Sequence, residues 1–218
     1  MSSSQLLSLI GIGFKETLYM VLATSFFSYL LGLPLGVLLF ATSPQGLRPQ
    51  KFIYNSFSLL VNILRSVPFL ILMVYVIPLT RFLAGTSIGA GAAVVPLTLS
   101  AAPFIARLVE SSLRELPQGV TDAARSMGAP DLNILFKVLL PEAKLSILSG
   151  SVIAVVNILS YSAMAGFVGG GGLGALAINY GYNRYDSRVM SWTVIVIVVL
   201  VQVIEWAGKK CIQAASKA

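Results

Sequence analysis

Five long apolar stretches, separated by shorter polar segments, constrain this chain more than any other feature of its sequence. They cover about residues 16–41, 57–80, 88–109, 145–168 and 189–208, and a helix needs about 20 apolar residues to cross a bilayer. The third and fourth stretches are diluted by Ser, Thr, Gly and Pro, so four spans or one re-entrant segment is an alternative. The sequence predicts one all-α domain over residues 1–218, a polytopic membrane protein with five transmembrane helices.

The composition also favours a membrane environment. Hydrophobic residues make up 56% of the chain and charged residues 11%, and the mean hydropathy is +0.87. Soluble proteins carry about 25% charged residues, so this chain lacks the polar side chains that cover a water-facing surface. Its formal charge of +7 would indicate nucleic-acid binding only if the basic residues formed a stripe on a soluble face. They fall mostly between apolar stretches instead, so we expect membrane lipid and no nucleic acid as a partner.

The distribution of Lys and Arg predicts the orientation of the spans. In a five-span arrangement, one side holds Arg48, Lys51, Arg107, Arg114, Arg125, Lys137, Lys144, Lys209, Lys210 and Lys217. The other side holds Lys15, Arg81, Arg184 and Arg188, and Arg65 lies within a span. Because basic residues are enriched in cytoplasmic loops, we expect an inner-membrane protein with its N-terminus outside and its C-terminus in the cytoplasm. The loop over residues 111–144 is then cytoplasmic.

The sequence predicts neither a metal site nor an enzyme active site. The chain has no histidine and a single cysteine, Cys211, and it has no Gly-x-x-x-x-Gly-Lys-Ser/Thr loop for binding ATP. Its Gly169-Gly-Gly171-Gly-Leu-Gly174 run matches Gly-x-Gly-x-x-Gly, but it follows an apolar span rather than a strand. The three named glycines are therefore candidates for a turn, a hinge or close packing, and the chain itself is predicted to bind no cofactor.

The 111–144 loop contains signals for two short helices. Pro117 suits a first helical position, Gly128 suits a left-handed stop, Pro130 opens the second helix and Pro141 ends it. Each helix has about 10 residues and measures about 15 Å, half the thickness of a bilayer, so neither can span it. Helical spacing places four residues of the first helix on one face, Val120, Ala123, Ala124 and Met127, and predicts that Leu132, Leu135, Phe136 and Leu139 of the second point inward.

One pattern in this loop resembles a known family. Asp122-Ala123-Ala124, three residues, Gly128, nine residues and Val138-Leu-Leu140-Pro141 are similar to the "EAA" loop of ABC-importer permeases. Asp122 replaces the family's Glu and Val138 replaces its Ile. The resemblance implies a type I importer permease fold in which a coupling helix within residues 121–141 sits in a cleft of a separate ATPase subunit. The coupling residues that it implies are Asp122, Ala123, Ala124, Gly128, Val138, Leu140 and Pro141.

Further stretches resemble one branch of that family, the methionine importer permeases. They include Asn62-Ile-Leu-Arg65-Ser-Val-Pro68-Phe69, Ala101-Ala-Pro103-Phe-Ile-Ala-Arg107 and Tyr161-Ser-Ala-Met164. The resemblance implies a homodimer with two ABC ATPase subunits, which bind ATP and Mg, and a periplasmic or lipid-anchored methionine-binding protein. The cargo implied is methionine in its L and D forms. Alternatives are an ABC permease for another amino acid or small solute, and an ion-coupled secondary transporter.

Polar side chains within the spans are candidates for the substrate path. The fourth span carries such a cluster, whose members also suit packing between helices: Asn157, Ser160, Tyr161, Ser162 and Met164. Arg65 in the second span is either a functional charge within the membrane or a side chain that extends to the cytoplasmic interface. Together with Pro68, it marks a candidate hinge or packing position.

Overall fold

The computed structural model describes residues 3–217, and every regular element within that range is helical. The elements in chain order are α1 (Ser3–Thr42), α2 (Lys51–Ser66), α3 (Phe69–Tyr75), α4 (Ile77–Ala84), α5 (Ala90–Arg114), α6 (Gln118–Ser126), α7 (Asp131–Asn133), α8 (Leu140–Glu142), α9 (Lys144–Ala165), α10 (Gly172–Leu176) and α11 (Ser187–Ala215). A π-helical turn (Ile134–Leu139) joins α7 to α8, a 3-10 turn (Gly166–Val168) follows α9, and a second π-helical turn (Ala177–Tyr182) extends α10.

Four of the described helices are long and apolar enough to cross a membrane: α1, α5, α9 and α11. A fifth crossing exists if α2 and α3 together form one broken span. The predicted second stretch, 57–80, is therefore not one straight helix, because α2 and α3 meet at an angle of 103°. Pro68 explains the break, since the proline ring disfavours helical backbone at Val67, which is extended.

The centre of the fold is the pair α1 and α5, which pack with almost no space between their backbones. A Cβ atom added at Gly32 would lie 2.7 Å from the carbonyl oxygen of Ala102, and one added at Gly36 would lie 2.5 Å from that of Ala106. Glycines four residues apart on one helix face therefore let α5 approach α1, as small residues do in membrane helix pairs.

The polar connections gather at two opposite ends of this bundle. At one end, the loop after α1 contacts α7 through Arg48 and Asp131, and the end of α5 contacts the start of α2 through Arg114 and Tyr54. At the other end, α1 contacts the glycine-rich turn through Glu16 and Gly172. The first of these ends carries most of the basic residues that the sequence assigns to the cytoplasmic side, and it positions the 111–144 loop.

Candidate functional site

Residues 118–142 form a compact helical projection at the end of α5, which we call the coupling segment. Pro117 precedes α6 as its N-cap rather than occupying its first turn. Gly128 has φ +76°, so the predicted left-handed stop is confirmed. The predicted end of the second helix at Pro141 is wrong, since the helix continues to Glu142. The wide π-helical turn before Pro141 accommodates the proline, which has no amide hydrogen to donate.

The inner face of the coupling segment is built from its π-helical turn. Ile134, Leu135 and Leu139 are buried against Val109 and Leu113 near the end of α5. Their burial confirms the inward prediction for Leu135 and Leu139. Val120 and Ala124 of α6 are partly buried and pack against the same cluster.

The outer face of the coupling segment is apolar and exposed. Met127 is 87% exposed, Leu132 67% and Phe136 59%, and Ala123 is also exposed. The sequence placed Leu132 and Phe136 inward, which is wrong. A π-helical turn has more residues per turn than the 3.6-residue period assumed, so the faces of the second helix are rotated. An exposed apolar patch of this kind is typical of a surface that contacts another protein or a membrane.

The seven motif residues divide between the two faces. Asp122, Ala123, Gly128 and Pro141 are exposed, whereas the other three are partly buried: Ala124, Val138 and Leu140. Ala124 and Leu140 pack against the buried cluster. The motif thus combines residues that hold the segment to the bundle with residues that face away from it.

Polar contacts tie the coupling segment to the loop that follows α1. The Nε atom of Arg48 donates to Asp131 over 2.6 Å, and Arg125 donates to the carbonyl oxygen of Leu47 over 2.8 Å. Arg125 also lies 3.9 Å from the Asp131 carboxylate. Sequence reasoning missed this connection, because no short-range pattern links positions that are 83 residues apart. The segment is therefore attached to the loop after α1 as well as to the end of α5.

A second polar centre lies on α5 and reaches α2. The Glu110 side chain is buried, and Nη1 of Arg107 donates a hydrogen bond of 2.6 Å to its Oε2 atom. Nη2 of Arg114 lies 2.7 Å from Oε1 of Glu110 and forms an ion pair whose geometry is not that of a hydrogen bond. Arg107 also donates to Ser58 and Asn62 of α2. Sequence analysis counted both arginines only as topology signals, although the spacing Arg107-x-x-Glu110-x-x-x-Arg114 was visible.

A cleft of about 370 Å³ lies between the α2–α3 break, α5 and α9, and we call it the Arg65 cleft. It brings Arg65 and Pro68, which the sequence marked as hinge or packing candidates, together with Tyr161, a candidate for the substrate path. Its lining is Leu64, Arg65, Ser66, Val67, Pro68, Phe69, Ser100, Phe104 and Tyr161. A second cleft of about 420 Å³ shares Arg65 and Phe104 with it and extends toward Glu115 and Ser146.

The other candidates for the substrate path lie on different faces of α9. Ser160 and Met164 are exposed, and Asn157 lines a separate cleft with Glu205 and Lys209 of α11. Ser162 is buried inside the subunit, where its hydroxyl donates to the carbonyl oxygen of Leu159 over 2.7 Å. Of this cluster, only Tyr161 lies in the Arg65 cleft.

The glycine-rich run forms a tight turn packed against α1 and α9. Gly169 and Gly171 have φ values of +83° and +76°, and a Cβ atom at Gly174 would collide with the carbonyl group of Ala163. Glu16, which sequence reasoning missed, accepts a hydrogen bond of 2.6 Å from the Gly172 amide. These contacts indicate close packing at this turn. Among residues 3–217, no group of three Cys, Asp or Glu side chains is placed to hold a metal ion.

Comparison with known sequences places these features in a family. Residues 28–206 match the family model described as "binding-protein-dependent transport system inner membrane component". The chain is 52% identical over 193 residues to the probable D-methionine transport system permease protein MetI of Vibrio cholerae, covering 88% of this chain and 86% of that protein. It is 49% identical over 154 residues to the D-methionine transport system permease protein MetI of Escherichia coli K12, covering 71% of each.

Solved structures show the same fold. A structure described as an inward-facing conformation of the MetNI methionine ABC transporter contains a chain with a TM-score of 0.96 and 45% identity, covering 99% of both chains. A chain of an amino acid ABC transporter, solved with histidines, gives a TM-score of 0.74 at 20% identity, covering 97% of this chain and 94% of that one. The second likeness concerns the fold alone.

Proposed function

Because the chain belongs to the family of binding-protein-dependent transport system inner membrane components, we propose that it is the permease subunit of an ATP-driven methionine importer. It carries L- and D-methionine across the bacterial inner membrane and performs no covalent chemistry itself. The observation that carries this proposal is the match over 99% of both chains with a chain of a methionine ABC transporter. The relatives named as D-methionine permeases support the same cargo.

The coupling segment supports an energy source outside this chain. Met127, Leu132 and Phe136 present an apolar surface that a partner subunit would cover, with Asp122 and Ala123 beside it. We assign this outer face to contact with the ATPase, which binds ATP and Mg. Ala124, Val138 and Leu140 anchor the segment, while Gly128 and Pro141 set its shape. Rigid attachment to α1 and α5 lets a movement of the ATPase become a movement of the spans.

The assembly that we propose contains two copies of this chain, two ABC ATPase subunits and a methionine-binding protein. Four or five crossings from one chain enclose little volume, so a two-fold dimer with the path near its axis is the natural arrangement. The coupling segment and the C-terminus face the cytoplasm. The N-terminus and the glycine-rich turn face the periplasm, where a periplasmic or lipid-anchored binding protein delivers methionine.

The substrate path that we propose follows the exposed face of α9 and the Arg65 cleft. Asn157, Ser160, Tyr161 and Met164 are accessible to a passing solute, whereas Ser162 is buried within the subunit. The thioether of Met164 suits contact with the polarizable methionine side chain. The α2–α3 break at Pro68 and the turn containing Gly169, Gly171 and Gly174 are the hinge or packing positions beside this path.

Uptake of labelled methionine by cells with and without this chain tests the proposal. Cells with the chain and its partners are expected to accumulate L- and D-methionine, and cells that lack the chain lose the saturable part of this uptake. Competition with other unlabelled amino acids measures the selectivity. Equal methionine uptake with and without the chain, in cells deprived of other methionine transporters, would contradict the assignment.

A further inference from the structure

Arg65 is the charged residue of the Arg65 cleft, and its charge has no acidic partner there. Within residues 3–217, no carboxylate lies within ion-pair distance of its guanidinium, and its nearest aromatic contact is the Phe104 ring, 5.9 Å from the ring centroid. Arg107, which lines the adjoining cleft, is by contrast fully engaged with Glu110, Ser58 and Asn62. Arg65 is exposed at the break of the α2–α3 pair, a candidate broken span, and a charge within a span is costly without a counter-charge, so this position favours an anionic partner.

We propose that Arg65 binds the carboxylate of the transported amino acid, an inference that rests on the proposed function above and deepens it. The planar guanidinium matches a carboxylate with two parallel hydrogen bonds. It sits where the two clefts meet, so a solute that moves from the Arg65 cleft toward Ser146 passes it. The Arg65 cleft has about 370 Å³, within the range of about 300–1,000 Å³ typical of small-molecule sites.

The rest of the Arg65 cleft suits the other parts of an amino acid with an apolar side chain. Phe69 and Tyr161 stack with their ring centroids 4.9 Å apart, and with Phe104 they give an aromatic wall. A thioether packs favourably against such rings. Ser66, Ser100 and the Tyr161 hydroxyl lie in the same lining and can accept hydrogen bonds from an α-amino group.

A carboxylate contact also accounts for transport of both optical forms. L- and D-methionine share the carboxylate and the side chain, and a site must fix three groups around the α-carbon to tell them apart. Arg65 fixes the carboxylate, whereas the aromatic wall and the several hydroxyl groups of the lining offer more than one position to the side chain and the α-amino group. The relatives named for D-methionine therefore agree with a site of this kind.

A thiol placed in the lining of the Arg65 cleft, on α5, tests the proposal. The variant Ser100→Cys, combined with Cys211→Ser to remove the native exposed thiol, is assembled with its ATPase subunits in membranes without the binding protein. The rate of modification by a small, water-soluble thiosulfonate is measured with increasing methionine or methioninol, which carries an alcohol in place of the carboxylate. Methionine is expected to slow the modification, and methioninol is expected to protect at least about tenfold less well, as loss of a charge-assisted hydrogen bond requires.

Substitution of Arg65 is the second part of this experiment. Arg65→Gln is expected to raise the half-protecting methionine concentration on the order of tenfold or more, and Arg65→Lys by less. Arg81→Gln is the matched control, because Arg81 contacts Ser87 outside the cleft. If Arg65→Gln fails to assemble, the comparison of methionine with methioninol on the protein that retains Arg65 decides whether the proposal holds.

Three results would overturn the role of Arg65. They are equal protection by methioninol, protection unchanged in Arg65→Gln, and no protection by methionine. Equal protection by methioninol would instead favour a lipid phosphate or an acidic residue of a second copy as the partner of Arg65. Methionine uptake by cells that carry the unmodified chain or the Ser100→Cys protein separates the two proposals. If the unmodified chain supports no methionine uptake, the proposed function fails. If uptake is present but protection of the Ser100→Cys thiol does not depend on the carboxylate, only the role of Arg65 is removed.

Discussion

Glu110 joins two helices through the arginines on either side of it. Its side chain is only 4% exposed and pairs with Arg107 and Arg114. Arg107 also donates to Ser58 and Asn62 of α2, and Arg114 donates to Tyr54. One buried carboxylate therefore fixes α2 against α5 near the coupling segment. Such a centre is stable only while all its members are present, because removal of one leaves a charge without a partner.

We predict that Glu110→Ala lowers the stability of the complex. Breaking a buried ion pair costs about 3–5 kcal/mol, and the lower part of that range applies here because Arg107 and Arg114 remain partly accessible to solvent. The measurement is the apparent melting temperature of the purified complex at one scan rate. Glu205→Ala is the control, since its pair with Lys209 is exposed and is worth about 0–1 kcal/mol. Similar shifts in the two variants would contradict the role of Glu110.

At the scale of elements, the bend between α6 and α7 gives the coupling segment its shape. Gly128 makes this bend with φ +76°, and a Cβ atom there would meet nothing within 4 Å. Gly119, in α6, also has open space around it but lies in a helix. The two glycines differ in backbone conformation rather than in crowding, which makes them a matched pair.

We predict that Gly128→Ala reduces transport, while Gly119→Ala leaves it unchanged or slightly improved. An L-residue in the left-handed region costs roughly 1–2 kcal/mol, which favours a rearranged bend and moves the outer face of the segment. Gly128→Glu adds a bulky charge and is expected to abolish transport while membrane insertion is retained. Methionine uptake and membrane content are the readouts. Full transport by the Gly128→Glu protein would refute this role of the bend.

The outer face of the same segment carries a prediction about assembly. Phe136→Asp is expected to prevent the ATPase subunit from co-purifying in detergent, because a charge would replace an exposed ring in the proposed contact. Phe136→Leu keeps an apolar side chain and is expected to retain the ATPase. Since Phe136 lies outside the buried cluster, both proteins are expected to insert normally. Retention of the ATPase by Phe136→Asp would remove this face from the contact.

The coupling segment also shows what sequence could predict. The glycine signal located the left-handed stop at Gly128 correctly, because it depends on a local backbone restriction, whereas the proline signals located the helices only to within a residue or two. The inward face was wrong at Leu132 and Phe136, because an assumed period of 3.6 residues does not describe a π-helical turn. The ion pair between Arg48 and Asp131 could not be predicted, since it depends on how distant parts of the chain fold together. The Arg65 cleft could not be predicted for the same reason, because its lining comes from distant parts of the chain.

At the scale of the whole molecule, basic residues gather at the end that carries the coupling segment. Large apolar side chains are exposed along the long helices, among them Leu22 and Phe26 of α1 and Val198 of α11. Lipid and a second copy of the chain would cover these surfaces. This distribution supports the proposed assembly, in which the basic end of the protein would contact the ATPase subunit.

The proposed orientation predicts which thiols react on each side of the membrane. Cys211, which is exposed near the end of α11, is expected to react with an impermeant maleimide in inverted membranes but not in intact spheroplasts. Tyr185→Cys in a Cys211→Ser background is expected to show the opposite pattern, since exposed Tyr185 lies before α11. Labelling of both thiols from one side would contradict an odd number of crossings between the two positions.

The most direct test of the account is ATP-dependent accumulation of labelled methionine in proteoliposomes that contain this chain, its ATPase and the binding protein. With ATP on the side of the coupling segment, we expect methionine to move to that side against its gradient. We expect no accumulation when ATP is withheld or when the chain is reconstituted alone. Accumulation by the lone chain, driven by an ion gradient without the ATPase, would contradict the account.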